Sequence, residues 1–110
     1  MLFRSERGRV NRPLVQVLGR AGLLAKLFPM AKGGDASVSA TDLCLMREGL
    51  AMECPEAETA LALQGLGTYP IVQSGGVDLV AEWVPKVAGG EAVAAFALSE
   101  PGAEIGRAHV

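Results

Sequence analysis

Aromatic residues are scarce in this chain, with one tryptophan, one tyrosine and three phenylalanines among 110 residues. Strands favour aromatic and β-branched side chains, so this scarcity, with alanine and leucine leading the apolar set, predicts helices over strands. Histidine occurs once, at His109, and cysteine twice, at Cys44 and Cys54. Neither cysteine has a further His or Cys at metal-ligand spacing, which leaves no metal site to assign. The two thiols are expected to stay reduced, in keeping with a cytoplasmic protein. No apolar run reaches the roughly 20 residues that a membrane span requires. No continuous apolar segment of signal-peptide type follows the basic start. Basic tracts are also missing beyond Arg4, Arg7, Arg9 and Arg12, and the formal net charge is −2. A nucleic-acid surface is therefore not expected, and the four arginines read as a solvated chain end.

What is present is an ordinary globular proportion of hydrophobic residues, 50%, enough for one domain or part of one with a modest core. The first helical pattern starts at Asn11-Arg-Pro13, where proline suits the first turn. Leu14, Val17, Leu18, Ala21 and Ala25 carry it at helical spacing to Phe28-Pro29. Lys32 to Ser37 is a loop by composition. Ser39-Ala-Thr-Asp42 is a capping signal for a helix with Leu43, Met46, Leu50 and Cys54 on one stripe, ended by Pro55.

Glu56 to about Gly67 predicts a third helix, with Glu56 and Glu58 at the positive end of its dipole. It is apolar around much of its circumference and is expected to be buried. Gly65, Gly67 and Pro70 suggest a break before Ile71-Val72. A fourth helix follows from Val77, anchored by Leu79, Val80 and Trp83 and stopping near Pro85, with a turn at Gly89-Gly90. Ala92 to Leu98 is a short apolar run bounded by turn residues, which predicts one β-strand. Glu100-Pro-Gly102 closes it. A lone strand cannot satisfy its own backbone, so its partners are expected outside this sequence.

Four of these features stand in the order found in the acyl-CoA dehydrogenase family. Phe96-Ala-Leu-Ser-Glu-Pro-Gly-Ala103 resembles that family's aromatic-x-x-Thr/Ser-Glu-Pro-Gly-Ala hallmark at the entry to its β domain. Leu66-Gly-Thr-Tyr-Pro70 with Ile71 is similar to its Leu-Gly-x-x-Pro-Ile helix segment. Trp83 to Glu91 is similar to its aromatic-Leu-Pro-x-Leu-Ala-x-Gly-Glu connection, and Gly33-Gly34 to its Gly-Gly loop. The resemblance spans about nine-tenths of the chain. It implies an all-α fold: an N-terminal-type helical bundle over residues 6–90, then one short C-terminal strand over 91–103 that begins a middle β domain.

The same resemblance implies FAD as cofactor, with Phe96, Ala97, Leu98, Ser99, Glu100, Pro101, Gly102 and Ala103 as its binding segment. Ser99 would hydrogen-bond the flavin edge where hydride arrives and charge develops. Thr59, Ala62, Leu63 and Leu66 would line an acyl pocket, although ordinary core packing explains those four equally well. The implied parent enzyme oxidises an acyl-CoA to the 2,3-enoyl-CoA and passes electrons to an electron-transfer flavoprotein, as a homotetramer or homodimer. Fatty-acid metabolism is its implied setting.

The carboxylate base of this reaction lies in a later helical domain in the family, so no catalytic residue is assigned here and the chain alone is expected to be inactive. A flavin oxidase or monooxygenase of the same fold remains an alternative, as does a non-catalytic helical interaction module. Residues 1–5 and 104–110 resemble peptides encoded by short-read sequencing adapters and are expected to be sequencing artefacts. His109 falls in that tail.

Overall fold

The computed structural model describes residues 9–29 and 38–102. The described residues form five helices and no strand. They are α1 (Arg12–Arg20), α2 (Leu23–Leu27), α3 (Ala40–Glu53), α4 (Pro55–Ser74) and α5 (Val77–Ala88). The all-α class expected from composition is therefore the class observed. The chain start at residues 1–8, the glycine loop at Gly33-Gly34 and the tail with His109 lie outside the described residues.

Local chemistry accounts for most of the helix ends. The Asn11 side chain accepts a hydrogen bond from the Leu14 N–H at 3.2 Å and caps α1, with Pro13 in the first turn. This satisfies one of the donors that every helix start leaves unpaired. Ser39 caps α3 in the same way, accepting from the Asp42 N–H at 3.3 Å. Cys54, in extended conformation, separates α3 from α4, and Pro55 opens α4 as its first residue.

The first helical pattern is not one helix. It breaks at Ala21-Gly22, where Gly22 adopts φ +81°, a left-handed conformation open to glycine at little cost. The break lets Leu24, Leu27 and Phe28 turn inward, and Leu24 becomes fully buried.

The expected break at Pro70 does not occur. α4 continues through Gly65, Gly67 and Pro70 to Ser74, and α5 continues through Pro85 to Ala88. An internal proline removes the hydrogen bond to the carbonyl four residues earlier and crowds it. Pro70 and Leu66 are both exposed, as are Pro85 and Ala81. Each orphaned carbonyl thus belongs to a turn on the solvent side, where losing the bond costs least.

α4 packs against each of the other helices. The core joins Leu14, Val15 and Leu18 of α1, Leu24 and Leu27 of α2, Phe28, Ala57 and Leu61 of α4, and Val84, Val87 and Ala88 of α5. The anchors of α5 are thus these last three residues. Leu79 and Trp83, expected as anchors, lie 49% and 39% exposed, and Lys86 sits over the Trp83 ring, 5.1 Å from its centroid.

α3 buries none of its residues completely. Leu43, Met46 and Leu50 lie partly buried against the core, and Arg47 pairs with Glu58 of α4 at 2.6 Å. Both cysteines are free, Cys44 exposed and Cys54 half-buried.

Backbones meet directly where α1 ends. A Cβ on Gly19 would collide with the Gly89 carbonyl group, and one on Gly90 (φ +79°) would lie 2.8 Å from the Val15 carbonyl oxygen. The Gly89-Gly90 turn is therefore pressed against α1, and no larger residue fits at Gly19 without displacing backbone.

After this turn the chain meets α4 again at Ala94 and Ala95, beside Gln64 and Gly67. Residues 93–98 do not form the expected strand. A strand is defined by its ladder, and between described residues no backbone–backbone hydrogen bond involves residues 93–98.

Candidate functional site

The site expected from sequence draws on α4 and on the segment after α5. Thr59, Ala62, Leu63 and Leu66 are spaced i, i+3, i+4 and i+7, so they share one face of α4. The opposite face, with Ala57, Leu61, Gln64, Gly67 and Thr68, is buried. The shared face points out of the bundle: Ala62 is half-buried, Thr59 is exposed, and Leu63 and Leu66 are each 49% exposed. α4 is thus only half wrapped, where its composition had predicted burial all round.

A hollow lies on each side of this ridge. One, of about 600 Å³, is walled by Thr59 and Leu63, by Asn11 and Leu14 of the α1 start, and by residues 93–96. The other, of about 700 Å³, is walled by Ala62 and Leu66 together with Phe28, Leu43, Leu61 and Tyr69. The four sequence-predicted residues therefore crest a ridge between two apolar hollows, and neither hollow contains them all.

The candidate flavin segment lies beside the first hollow. Phe96 forms part of its wall while remaining 47% exposed, and Leu98 is 71% exposed. Ala97, Ser99, Glu100, Pro101 and Gly102 are exposed. Pro101 precedes Gly102 at φ +79°, the combination used by a type II turn. Ala103 lies outside the described residues. By residue type the segment suits the rim of an aromatic cofactor: backbone N–H and C=O groups, apolar side chains at Phe96 and Leu98, and a hydroxyl at Ser99. Among the described residues, no group of three His, Cys, Asp or Glu side chains is placed to hold a metal ion.

One contact was missed in the sequence. Gln64 is 4% exposed, and its side-chain amide faces the backbone of Ala94. Its oxygen accepts from the Ala94 N–H at 2.8 Å, and its nitrogen donates to the Ala94 carbonyl at 3.3 Å. Gly67, one turn further on, lets the segment approach, since a Cβ there would meet Ala94 Cβ and Ala95 N at 3.0 Å. A glutamine inside an apolar helix was the available signal. Two further buried polar atoms, Asn11 Nδ2 and Thr68 Oγ1, have no hydrogen-bond partner.

The sequence that forms this bundle matches a known family. The model of the acyl-CoA dehydrogenase N-terminal domain matches residues 3–91, and the chain belongs to the acyl-CoA dehydrogenase family. It is similar to the cyclohexane-1-carbonyl-CoA dehydrogenase of Geobacter metallireducens, 29% identical over 96 residues, covering 87% of this chain and 25% of that protein. The enzyme of the same name from Syntrophus aciditrophicus is 27% identical over the same shares. The chain spans about a quarter of the length of these relatives. No helix among the described residues is long and apolar enough to cross a membrane.

Proposed function

We propose that this chain supplies the helical wall of a flavin-dependent acyl-CoA dehydrogenase that converts an acyl-CoA to its 2,3-enoyl-CoA. The observation that carries the proposal is the outward apolar ridge Thr59–Ala62–Leu63–Leu66, lying on the same helix that holds Ala94, two residues before Phe96. Apolar surface left open on this scale is characteristic of a surface that something else covers.

When bound, FAD supplies the hydride acceptor. The chain's own residues bind and orient. Leu63 and Leu66 hold the hydrocarbon part of the acyl group and exclude water from it. Phe96 and Leu98 would pack against the flavin, and the backbone around them would hydrogen-bond its polar rim. The Ser99 hydroxyl would donate to the flavin where negative charge develops. No glutamate of this chain is given the role of α-proton base, and the ridge offers no carboxylate. Electrons pass to an electron-transfer flavoprotein. The two similar relatives act on a cyclohexane-1-carbonyl thioester by name, and a wide apolar ridge accommodates an alicyclic acyl group. The open ridge, and a segment that meets α4 without joining a ladder, support this reading over a self-contained interaction module.

The test is a hybrid in which residues 9–102 replace the matched quarter of the Geobacter relative. It is expected to bind FAD and to bleach the flavin's visible absorption on addition of an acyl-CoA. A folded, FAD-loaded hybrid that no acyl-CoA bleaches would overturn the proposal. The 110-residue chain alone is expected to show no dehydrogenase activity and little FAD retention, and a stoichiometric flavin spectrum on the purified chain contradicts that.

A further inference from the structure

Residues 93–98 have no strand beside them among the described residues, yet they hold one register against α4. The side-chain amide of Gln64 does what a neighbouring strand does: it accepts from and donates to the same residue, Ala94, at 2.8 and 3.3 Å. A primary amide presents the same donor and acceptor pair as a peptide group, so one glutamine substitutes for one rung of a ladder. Gly67 provides the matching recess, its missing Cβ leaving room for Ala94 and the Ala95 N–H. The glutamine is buried and both its polar ends are satisfied, so the pairing is specific and cannot be exchanged for water without exposing the core.

We propose that Gln64, with Gly67, is the positioning residue that sets the register of the segment leading to Ser99, and so decides which side chain walls the hollow beside Thr59 and Leu63. In the observed register Phe96 is the bulkiest of the four consecutive residues, Val93 to Phe96, that line the hollow. A slip of one residue puts an alanine, Ala95 or Ala97, in its place and leaves the hollow wider. The same slip moves Ser99 by about 3.3 Å, more than a hydrogen bond's tolerance. The link to acyl selection and flavin contact rests on the proposed function. The clamp itself does not.

The test uses the 110-residue chain without flavin, so its outcome is independent of whether the hybrid above is active. Amide hydrogen exchange and amide shifts are read residue by residue by NMR. Gln64→Met, of similar length but without the amide, is expected to speed exchange at Ala94 about tenfold and to shift the amides of Ala95 to Leu98, with Leu61 and Thr68 unchanged. Gln64→Glu gives a pH signature that a packing role would not. A protonated carboxyl has the donor and acceptor of the amide, whereas a carboxylate has no donor. The carboxylate still accepts from the Ala94 N–H but leaves the Ala94 carbonyl without its donor, so relative to the wild type at each pH the Ala95 amide, which shares a peptide unit with that carbonyl, is expected to shift at neutral pH and to return in acid. Gly67→Ala acts by bulk and is expected to release the same amides, which keeps the test decisive if Gln64→Met does not fold. The proposal is overturned if Ala94 exchanges freely in the wild type, if Gln64→Met and Gly67→Ala leave it protected, or if the Ala95 amide of Gln64→Glu shows no pH dependence.

Discussion

The two faces of α4 do not sort by polarity alone. The inward face carries Gln64 and Thr68, 4% and 0% exposed, beside the buried Ala57 and Leu61, whereas the outward face carries Leu63 and Leu66, each 49% exposed. Ordinarily the leucines would be inside. Inside, however, small residues and a glutamine bring another part of the chain close, while outside the leucines stand half open beside the two hollows. Apolar content therefore says how much of α4 wants cover. It does not say which covering is internal. The inward face is shaped for close approach, and the outward face stays apolar and open.

A few substitutions break or sharpen this contrast. The largest effect is expected from Leu61→Ala, which empties a fully buried position and should cost about 2–5 kcal/mol. Leu66→Ala on the ridge should cost less than about 1 kcal/mol. Denaturant midpoints of the two variants check the pair directly, and equal losses would mean that the ridge is core after all.

Thr68→Val comes next. The Thr68 hydroxyl is buried without a partner, and a methyl of the same shape removes that burden. Thermal unfolding is expected to rise in midpoint by the equivalent of about 1 kcal/mol, and a fall would reveal an unseen partner for the hydroxyl.

The smallest effect belongs to the ion pair at the flank, Arg47 with Glu58, whose side chains are 51% and 20% exposed. A double-mutant cycle to alanine should give a coupling of about 0.2–1 kcal/mol that shrinks in high salt.

Much of the architecture was legible because its signals are local. Asn11 and Ser39 announce helix starts by their own side chains, Pro55 marks the junction of α3 and α4, and Gly89-Gly90 turns where paired glycines suggest. That Thr59, Ala62, Leu63 and Leu66 share a helix face was legible too, by spacing alone.

The misread elements depend on where a residue faces. Pro70 and Pro85 look like breaks in one dimension, yet each falls on an exposed face where a lost hydrogen bond is tolerated. Gly22 looks like one more glycine in a helix, but its positive φ divides the first run in two. The strand expected at Ala92–Leu98 rested on a short apolar run between turn residues, but the run is mostly alanine, a poor strand former, and has no strand beside it among the described residues. Gln64 stood out as a glutamine in an apolar helix, but its partner was invisible because Ala94 lies 30 residues away and offers only backbone.

The close contact of Gly19 with the Gly89-Gly90 turn has a further consequence for how the unit connects to its surroundings. By tying the last turn of α5 to α1, it brings the entry of the bundle, at Val10 and Asn11, to the same hollow as its exit, at Val93 to Phe96. Residues 10–96 thus form a loop whose two ends share one doorway. Such a unit resembles a cassette: it can be spliced into a host framework, or have its ends joined and be opened elsewhere, without rerouting any helix.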